Sequence, residues 1–275
     1  MEQVNFKKRL NLFQLALFAK TKKFDNEILL RQAFKKGALV DEEKILLEKF
    51  INHFKGIKDI KSQLYQDVFA SFIVGNKFDK TFLEFGATDG LDLSNTYMLE
   101  SSLGWRGVLS EPSPKWHNSL RENRKNSNII TKCIWTISNK ELDFFDSDAG
   151  SLSTLKKYID SDIESMPINA ELRKKNGKLI KVKTISLNDV IKNYFQNQAP
   201  SYISIDTEGS EFEILNFFDF AKFKPILFTI EHNFTKSQID IDNLMASKNY
   251  IRVFKEITAF DAWYVLKEVY DQLLK

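Results

Sequence analysis

Cysteine is nearly absent from this chain of 275 residues: Cys133 is the only one, so no internal disulfide can form. Nothing therefore points to an oxidising compartment. With one cysteine and three histidines, a Cys/His zinc module is excluded as well. Glycine and proline are scarce, at ten and five residues, which excludes collagen-like, linker-like and low-complexity chains. No apolar run approaches the roughly 18 residues that a membrane-crossing helix requires. The start, Met1-Glu2-Gln3-Val4-Asn5, lacks the charged-then-apolar order of a signal peptide. The expectation is a cytoplasmic protein without a membrane span. Charge of one sign is missing too. Forty basic and 37 acidic side chains leave +3, a balance too even for a nucleic-acid partner.

What remains suits a globular protein, with 43% hydrophobic and 28% charged residues. The length fits one large domain, or one domain with an appendage. In the first sixty residues, Leu10, Phe13, Leu17 and Phe18 recur at helical spacing. Ile28, Leu29 and Phe34 do the same, as do Ile45, Leu46, Phe50 and Phe54. This predicts three short amphipathic helices over 1–60, packed on a main domain over 61–275. Lys7, Lys8, Arg9, Lys20, Lys22 and Lys23 read as their solvated face. Apolar stripes of this kind also leave a homo-oligomer open. A further helix over 62–74 leads into the main domain.

From Lys80 the rhythm changes, and short apolar runs alternate with helical segments. Strands are expected over 81–85, 108–110, 129–134, 202–205, 226–230, 250–255 and 262–266. Helices are expected over 95–102, 114–122, 187–195, 210–217 and 237–247. Such alternation predicts an α/β fold with a mainly parallel, doubly wound sheet. The last two strands lack a helix between them and read as an antiparallel hairpin at one end. Residues 140–183 break the pattern, with an extra strand over 142–145 and a polar, irregular stretch over 147–178. A long irregular excursion is often a substrate loop or lid. Within it, 146–153 could close over a ligand. Lys156, Lys157, Arg173, Lys174 and Lys175 are either a solvated face or a surface for the phosphates of a nucleotide sugar.

The most informative stretch is Phe82-Leu83-Glu84-Phe85-Gly86-Ala87-Thr88-Asp89-Gly90, an apolar strand running into a two-glycine loop. A helix follows, with Ser94 a suitable cap. In a doubly wound sheet, ligands sit beyond the carboxyl end of such a strand. A dinucleotide site wants G-x-G-x-x-G, and the middle glycine is missing here. Glu84 and Asp89 would repel a pyrophosphate and attract a cationic or zwitterionic ligand such as S-adenosylmethionine. Glu111, at the tip of the second strand, can accept the hydroxyl protons of a ribose. Two later strands end in Asp206-Thr207-Glu208-Gly209 and Glu231-His232-Asn233. If these strands are parallel neighbours, Asp206, Glu208, Glu231 and His232 meet at the edge that holds Gly86. They can hold a divalent ion such as Mg or Mn, with Asp206, Glu231 and His232 as ligands. Alternatively, His232 or Asp206 acts directly as a general base.

Together these stretches resemble the FkbM family of S-adenosylmethionine-dependent methyltransferases. The match rests on residues 62–67, 82–90, 104–112, 203–211 and 231–232, spread over most of the chain. The resemblance implies a seven-strand Rossmann-like methyltransferase fold with the last strand antiparallel. It also implies O-methyl transfer, often to sugar hydroxyls of natural products or surface glycans. On that reading Glu84, Gly86, Thr88, Asp89 and Gly90 serve the methionine end of the cofactor. Ser94, Asn95 and Thr96 lie near its carboxylate, and Glu111 with Pro112 near its ribose. Asp206, Glu231 and His232 would activate the acceptor, a small molecule or glycan. Three rivals compete: a nucleic-acid methyltransferase on the same fold, a nicotinamide-dependent oxidoreductase and a catalytically silent binding module.

Overall fold

The computed structural model describes residues 41–54, 57–255 and 257–275. The first two expected N-terminal helices lie outside the described residues. The third is present as α1 (Asp41–His53). Its stripe of Leu46, Leu47, Phe50 and Ile51 is buried, and it joins the core of the main domain. There the Phe50 ring meets Phe69 edge-on, 5.3 Å between centroids, and Trp263 at 6.3 Å. So far as it is described, the segment before residue 60 is built into the same core as the sheet.

Next come α2 (Gln66–Val74), β1 (Thr81–Phe85), α3 (Tyr97–Leu103), β2 (Arg106–Ser110), α4 (His117–Asn123) and β3 (Asn128–Ile130). A second group follows: β4 (Cys133–Trp135), β5 (Glu141–Ser147), β6 (Thr154–Leu155), α5 (Pro167–Lys175) and β7 (Gly177–Ser186). The chain then runs through α6 (Leu187–Tyr194), β8 (Tyr202–Ile205), α7 (Glu211–Asn216), β9 (Leu227–Glu231) and α8 (Ser237–Ser247). It ends with β10 (Tyr250–Val253), β11 (Asp261–Leu266) and α9 (Lys267–Leu273).

Seven strands form the main sheet in the order β10-β11-β9-β8-β1-β2-β3. Strands β1, β2, β3, β8 and β9 run parallel. The last strand, β11, is antiparallel to both β9 and β10. This is the doubly wound sheet that the alternating pattern implies. Strand order reverses at β1, which lies between β2 and β8. The crevice beyond the carboxyl ends of these strands is where such a sheet binds ligands.

Two regions differ from expectation. The apolar run 129–134 is not one strand: β3 stays in the main sheet, whereas β4 pairs with β7 in a second sheet. That sheet, ordered β4-β7-β5-β6, has its own small core of Cys133, Phe144, Leu155 and Val182. The polar stretch 147–178 contains β6, α5 and the start of β7. Helix α5 escapes a hydrophobicity reading because its pattern is inverted. Ala170 and Arg173 are its buried residues, while Ile168 and Leu172 are 70% and 45% exposed. Strand β7 escapes because the adjacent Leu179-Ile180 pair interrupts its alternation.

Candidate active site

A cavity of about 430 Å³ opens at the carboxyl ends of β1, β8 and β9. The turn after β1 supplies Gly86, Thr88 and Asp89, and the approach to α3 supplies Ser94 and Asn95. Asp206 and Glu208 enter from β8, and Glu231 from the end of β9. The 147–178 segment closes one side through Ala149, Gly150, Ser151, Leu152, Met166 and Asn169. Glu84, Asp89, Asp92, Asp206, Glu208 and Glu231 place carboxylates in the lining, which among the described residues holds no lysine, arginine or histidine. An acidic lining of this kind opposes a diphosphate and draws in a cation.

The loop glycines answer to the protein itself. Gly86 has φ 71°, and a Cβ there would lie 2.0 Å from the Asp206 carbonyl oxygen. Only glycine lets the β1 and β8 loops meet this closely. Gly90 does not line the cavity; a Cβ there would strike the Leu120 and Arg124 side chains at 2.5 and 2.6 Å.

Glu84 is spoken for. Its carboxylate accepts the Asn95 N–H at 2.7 Å and the Ser94 Oγ at 3.0 Å, and also takes the Thr96 hydroxyl. Arg124, wholly buried, stands 3.5 Å from it and 2.7 Å from Glu100. Ser94 Oγ also accepts the Thr96 and Tyr97 N–H groups at 3.2 and 3.1 Å, although the helix cap itself is Thr96, two residues later than expected. Asp89 closes its own turn, accepting the Leu91 and Asp92 N–H groups, both at 2.9 Å. Asn95 donates to Ser204 Oγ at 3.0 Å while facing the cavity. Thr96 is buried and does not reach the cavity.

Glu111 and Pro112 line a second, smaller cavity with Ile134, Phe144 and Leu155. Gly86, Thr88, Trp116, Gly150 and Asp206 line both cavities, which makes them contiguous. Glu111 accepts the Thr88 and Ser113 N–H groups at 2.9 and 2.7 Å. Burial pushes its carboxyl up to about 7, against the pull of those two bonds. Trp116 was invisible as a site residue, because a tryptophan at a helix start carries no motif.

Asp206, Glu208 and Glu231 bring one carboxylate oxygen each within 4.8 Å of the others. Burial, reinforced by neighbouring carboxylates, pushes Asp206 up to about 7. Burial and the charge of Asp206 raise Glu208 and Glu231 further. Three desolvated like charges cannot all ionise without a proton or a cation among them. Glu231 accepts from the Asn233 amide at 2.8 Å, and Glu208 pairs with Arg173 at 2.7 Å.

His232 departs from the sequence reading. It is buried, absent from the cavity lining and outside the three-carboxylate group. Its Nδ1 accepts the Phe234 N–H at 3.0 Å, and its Nε2 lies 3.2 Å from Arg252 Nη2. Successive side chains at a strand end point to opposite faces, so Glu231 and His232 cannot both face the cavity. Glu208 takes the place expected for the imidazole. In the basic stretch the four lysines form a solvated face, and Arg173 alone departs from it. Lys156, Lys157 and Lys174 pair with Asp143, Glu213 and Asp160, and Arg173 is buried.

Sheet order and switch-point cavity together define a Rossmann-like α/β fold with a candidate ligand site at β1, β8 and β9. A family model described as the methyltransferase FkbM domain matches residues 84–261. The chain belongs to that family. Comparison with curated proteins finds no match. Among solved structures, the chain is similar to a putative caffeoyl-CoA O-methyltransferase from Staphylococcus aureus. Identity is 12%, covering 88% of this chain and 99% of that one, with a TM-score of 0.44. An O-methyltransferase from Bacillus cereus in complex with SAH is 12% identical over 85% of this chain and 96% of that one, with a TM-score of 0.38. A putative O-methyltransferase from Klebsiella pneumoniae is 10% identical over 86% and 94%, with a TM-score of 0.40.

Proposed function

We propose that this chain moves a methyl group from S-adenosylmethionine to a sugar hydroxyl, on a nucleotide sugar or within a capsular or lipopolysaccharide glycan. The observation that carries the reading is the cavity at the switch point, lined by six carboxylates and, among the described residues, by no basic side chain. That lining suits a sulfonium and an ammonium, and it opposes the pyrophosphate of a dinucleotide. Gly86, Thr88, Asp89 and Asn95 would hold the methionine end. Glu111 would accept the ribose hydroxyls with the lone pairs its two backbone bonds leave free, and Pro112, Ile134 and Phe144 would flank the base. Thr96 and Gly90 would act behind this layer, and Glu84 and Ser94, which reach the lining, would also fix the loop through their mutual hydrogen bond.

When bound, S-adenosylmethionine supplies an electrophilic methyl carbon. The residues of this chain must align the acceptor and take its proton. The C–S bond breaks as the C–O bond forms, and the hydroxyl proton passes to a base. Asp206 is our choice, because a carboxyl near 7 is matched to work at neutral pH. A second reading has one specific support. Asp206, Glu208 and Glu231 are hard oxygen donors within reach of one ion, and a divalent metal there would lower the acceptor's pKa instead.

The test is methyl transfer from isotopically labelled S-adenosylmethionine to a panel of neutral glycans and nucleotide sugars, with and without Mg or Mn. Label in an acid-stable methyl ether, lost in Asp206→Asn, is the expected result. Turnover unaffected by a chelator would remove the metal reading. Label appearing only in nucleic acid would replace the sugar acceptor.

A further inference from the structure

Arg173 stands outside every role assigned above, although its side chain is fully buried. Its guanidinium has five N–H groups, and each finds an acceptor. Nε donates to the Leu152 carbonyl at 2.8 Å and Nη1 to the Ile159 carbonyl at 2.9 Å. Nη1 and Nη2 grip Asp162 at 2.7 and 3.1 Å. The remaining Nη2 proton goes to Glu208 Oε2 at 2.7 Å. Four of these bonds tie the 147–176 segment to itself, and the fifth ties it to the carboxylate group.

Other contacts converge on the same joint. Ser147 Oγ donates to the Arg173 carbonyl at 3.1 Å, fixing the end of α5 to β5. Thr154 Oγ1 donates to the Glu208 carbonyl at 2.9 Å. A Cβ on Gly209 would stand 2.6 Å from Ser161 Oγ, so the segment is seated directly on the loop after β8. The same segment gives the cavity Leu152, Met166 and Asn169. Leu152 is itself held by Arg173.

We propose that Arg173 is a positioning residue: it fastens the 147–176 segment to Glu208, so that the wall of the cavity opposite the β1 loop forms only when the carboxylate group is correctly arranged. Lysine cannot replace it. An ammonium has three donors and no planar fork, and five acceptors in one plane are left partly unmet. The coupling is reciprocal by linkage: whatever fills the cavity tightens the segment, and whatever loosens the segment weakens binding. The proposal rests on the reading of the cavity only for the identity of the ligand.

Amide hydrogen exchange on the full chain tests it, comparing wild type, Glu208→Ala, Arg173→Met, Arg173→Lys and the Arg173→Met/Glu208→Ala pair. Without ligand, Glu208→Ala should speed exchange over 159–175 at least tenfold, while β1 and β8 stay as protected as before. The double variant should exchange no faster over 159–175 than Arg173→Met alone, because the Arg173–Glu208 bond that Glu208→Ala removes is already lost in Arg173→Met. Arg173→Lys should resemble Arg173→Met. In wild type, S-adenosylhomocysteine should slow exchange over 159–175, and in Glu208→Ala that slowing should vanish even at saturating ligand. Unchanged exchange over 159–175 in Glu208→Ala, or additive effects in the double variant, would overturn the proposal. Failure of S-adenosylhomocysteine to bind wild type would sink the cofactor reading instead, and the ligand-free comparison would still decide the role of Arg173.

Discussion

At Asp206, burial holds a carboxyl near 7 beside two others that burial also raises. A group so poised exchanges protons readily at neutral pH. Replacing it with asparagine keeps the shape and removes the base. Turnover should fall by roughly 10²- to 10⁴-fold, the usual worth of general-base catalysis, with affinity for S-adenosylhomocysteine little changed. Glu111 should behave in the opposite way. Glu111→Ala removes charge-assisted acceptors worth about 1.5–3 kcal/mol, so calorimetry should show cofactor binding weakened by roughly 10- to 150-fold. Cys133 is buried and its thiol is pushed up to about 12. The native protein should therefore resist a thiol reagent that labels it after unfolding. The carboxylates at strand ends were legible in the sequence, since a glycine loop or an acid after an apolar run marks the ligand edge. The buried arginines were not. Arg173 was read within a solvated or phosphate-binding face and Arg124 carried no signal, because charge is normally exposed; only the fold reveals that each pairs with an acid beside the cavity.

Among the elements, the loop after β1 makes the sharpest structural claim. Gly86→Ala would bring a Cβ onto the Asp206 carbonyl at a φ of 71°. Overpacking and left-handed strain together should cost about 2–5 kcal/mol and displace Asp206. Gly104 is the control. Its φ is 68°, yet nothing lies within 4 Å of a Cβ there, so Gly104→Ala should cost only the conformational about 1–2 kcal/mol. Equal losses in denaturant titration would show that contact with Asp206 is not what requires glycine at 86. The elements that ran as short continuous apolar stretches, such as β1, β8 and β9, could be read from sequence because both faces of a central parallel strand are buried. Helix α5 could not, since it buries an arginine and exposes Ile168 and Leu172. Periodicity also carried no signal for the switch of β4 into a second sheet. That switch turns on two exposed or half-buried residues between β3 and β4, where the chain changes sheets.

For the whole molecule, the notable property is an excess of buried carboxyls. Asp67 and Asp261 are pushed up to about 6, and Glu111 and Asp206 to about 7, each chiefly by burial. An unfolded carboxyl titrates near 4. Between about pH 4 and 7 the folded chain therefore holds more protons than the unfolded chain, and stability falls as pH rises through that window. The exposed acids with lowered values, Asp143 and Asp189, pull the other way from screened surface sites and count for less. The ligand-free melting temperature should be higher at pH 5 than at pH 8. Asp206→Asn should flatten that slope, and a cationic ligand should raise stability most at the alkaline end. No helix among the described residues is long and apolar enough to cross a membrane.

The central claim is that the acid-lined cavity at the switch point takes S-adenosylmethionine and its product. Titration of S-adenosylhomocysteine into the full chain, followed by melting temperature at pH 7.5 with NAD as control, addresses it directly. At about 100 times its dissociation constant, a bound ligand stabilises by roughly 2.7 kcal/mol, a shift of several degrees. The account predicts that shift for S-adenosylhomocysteine, its loss or reduction in Glu111→Ala, and none for NAD. No shift with S-adenosylhomocysteine, or an equal shift with NAD, would contradict it.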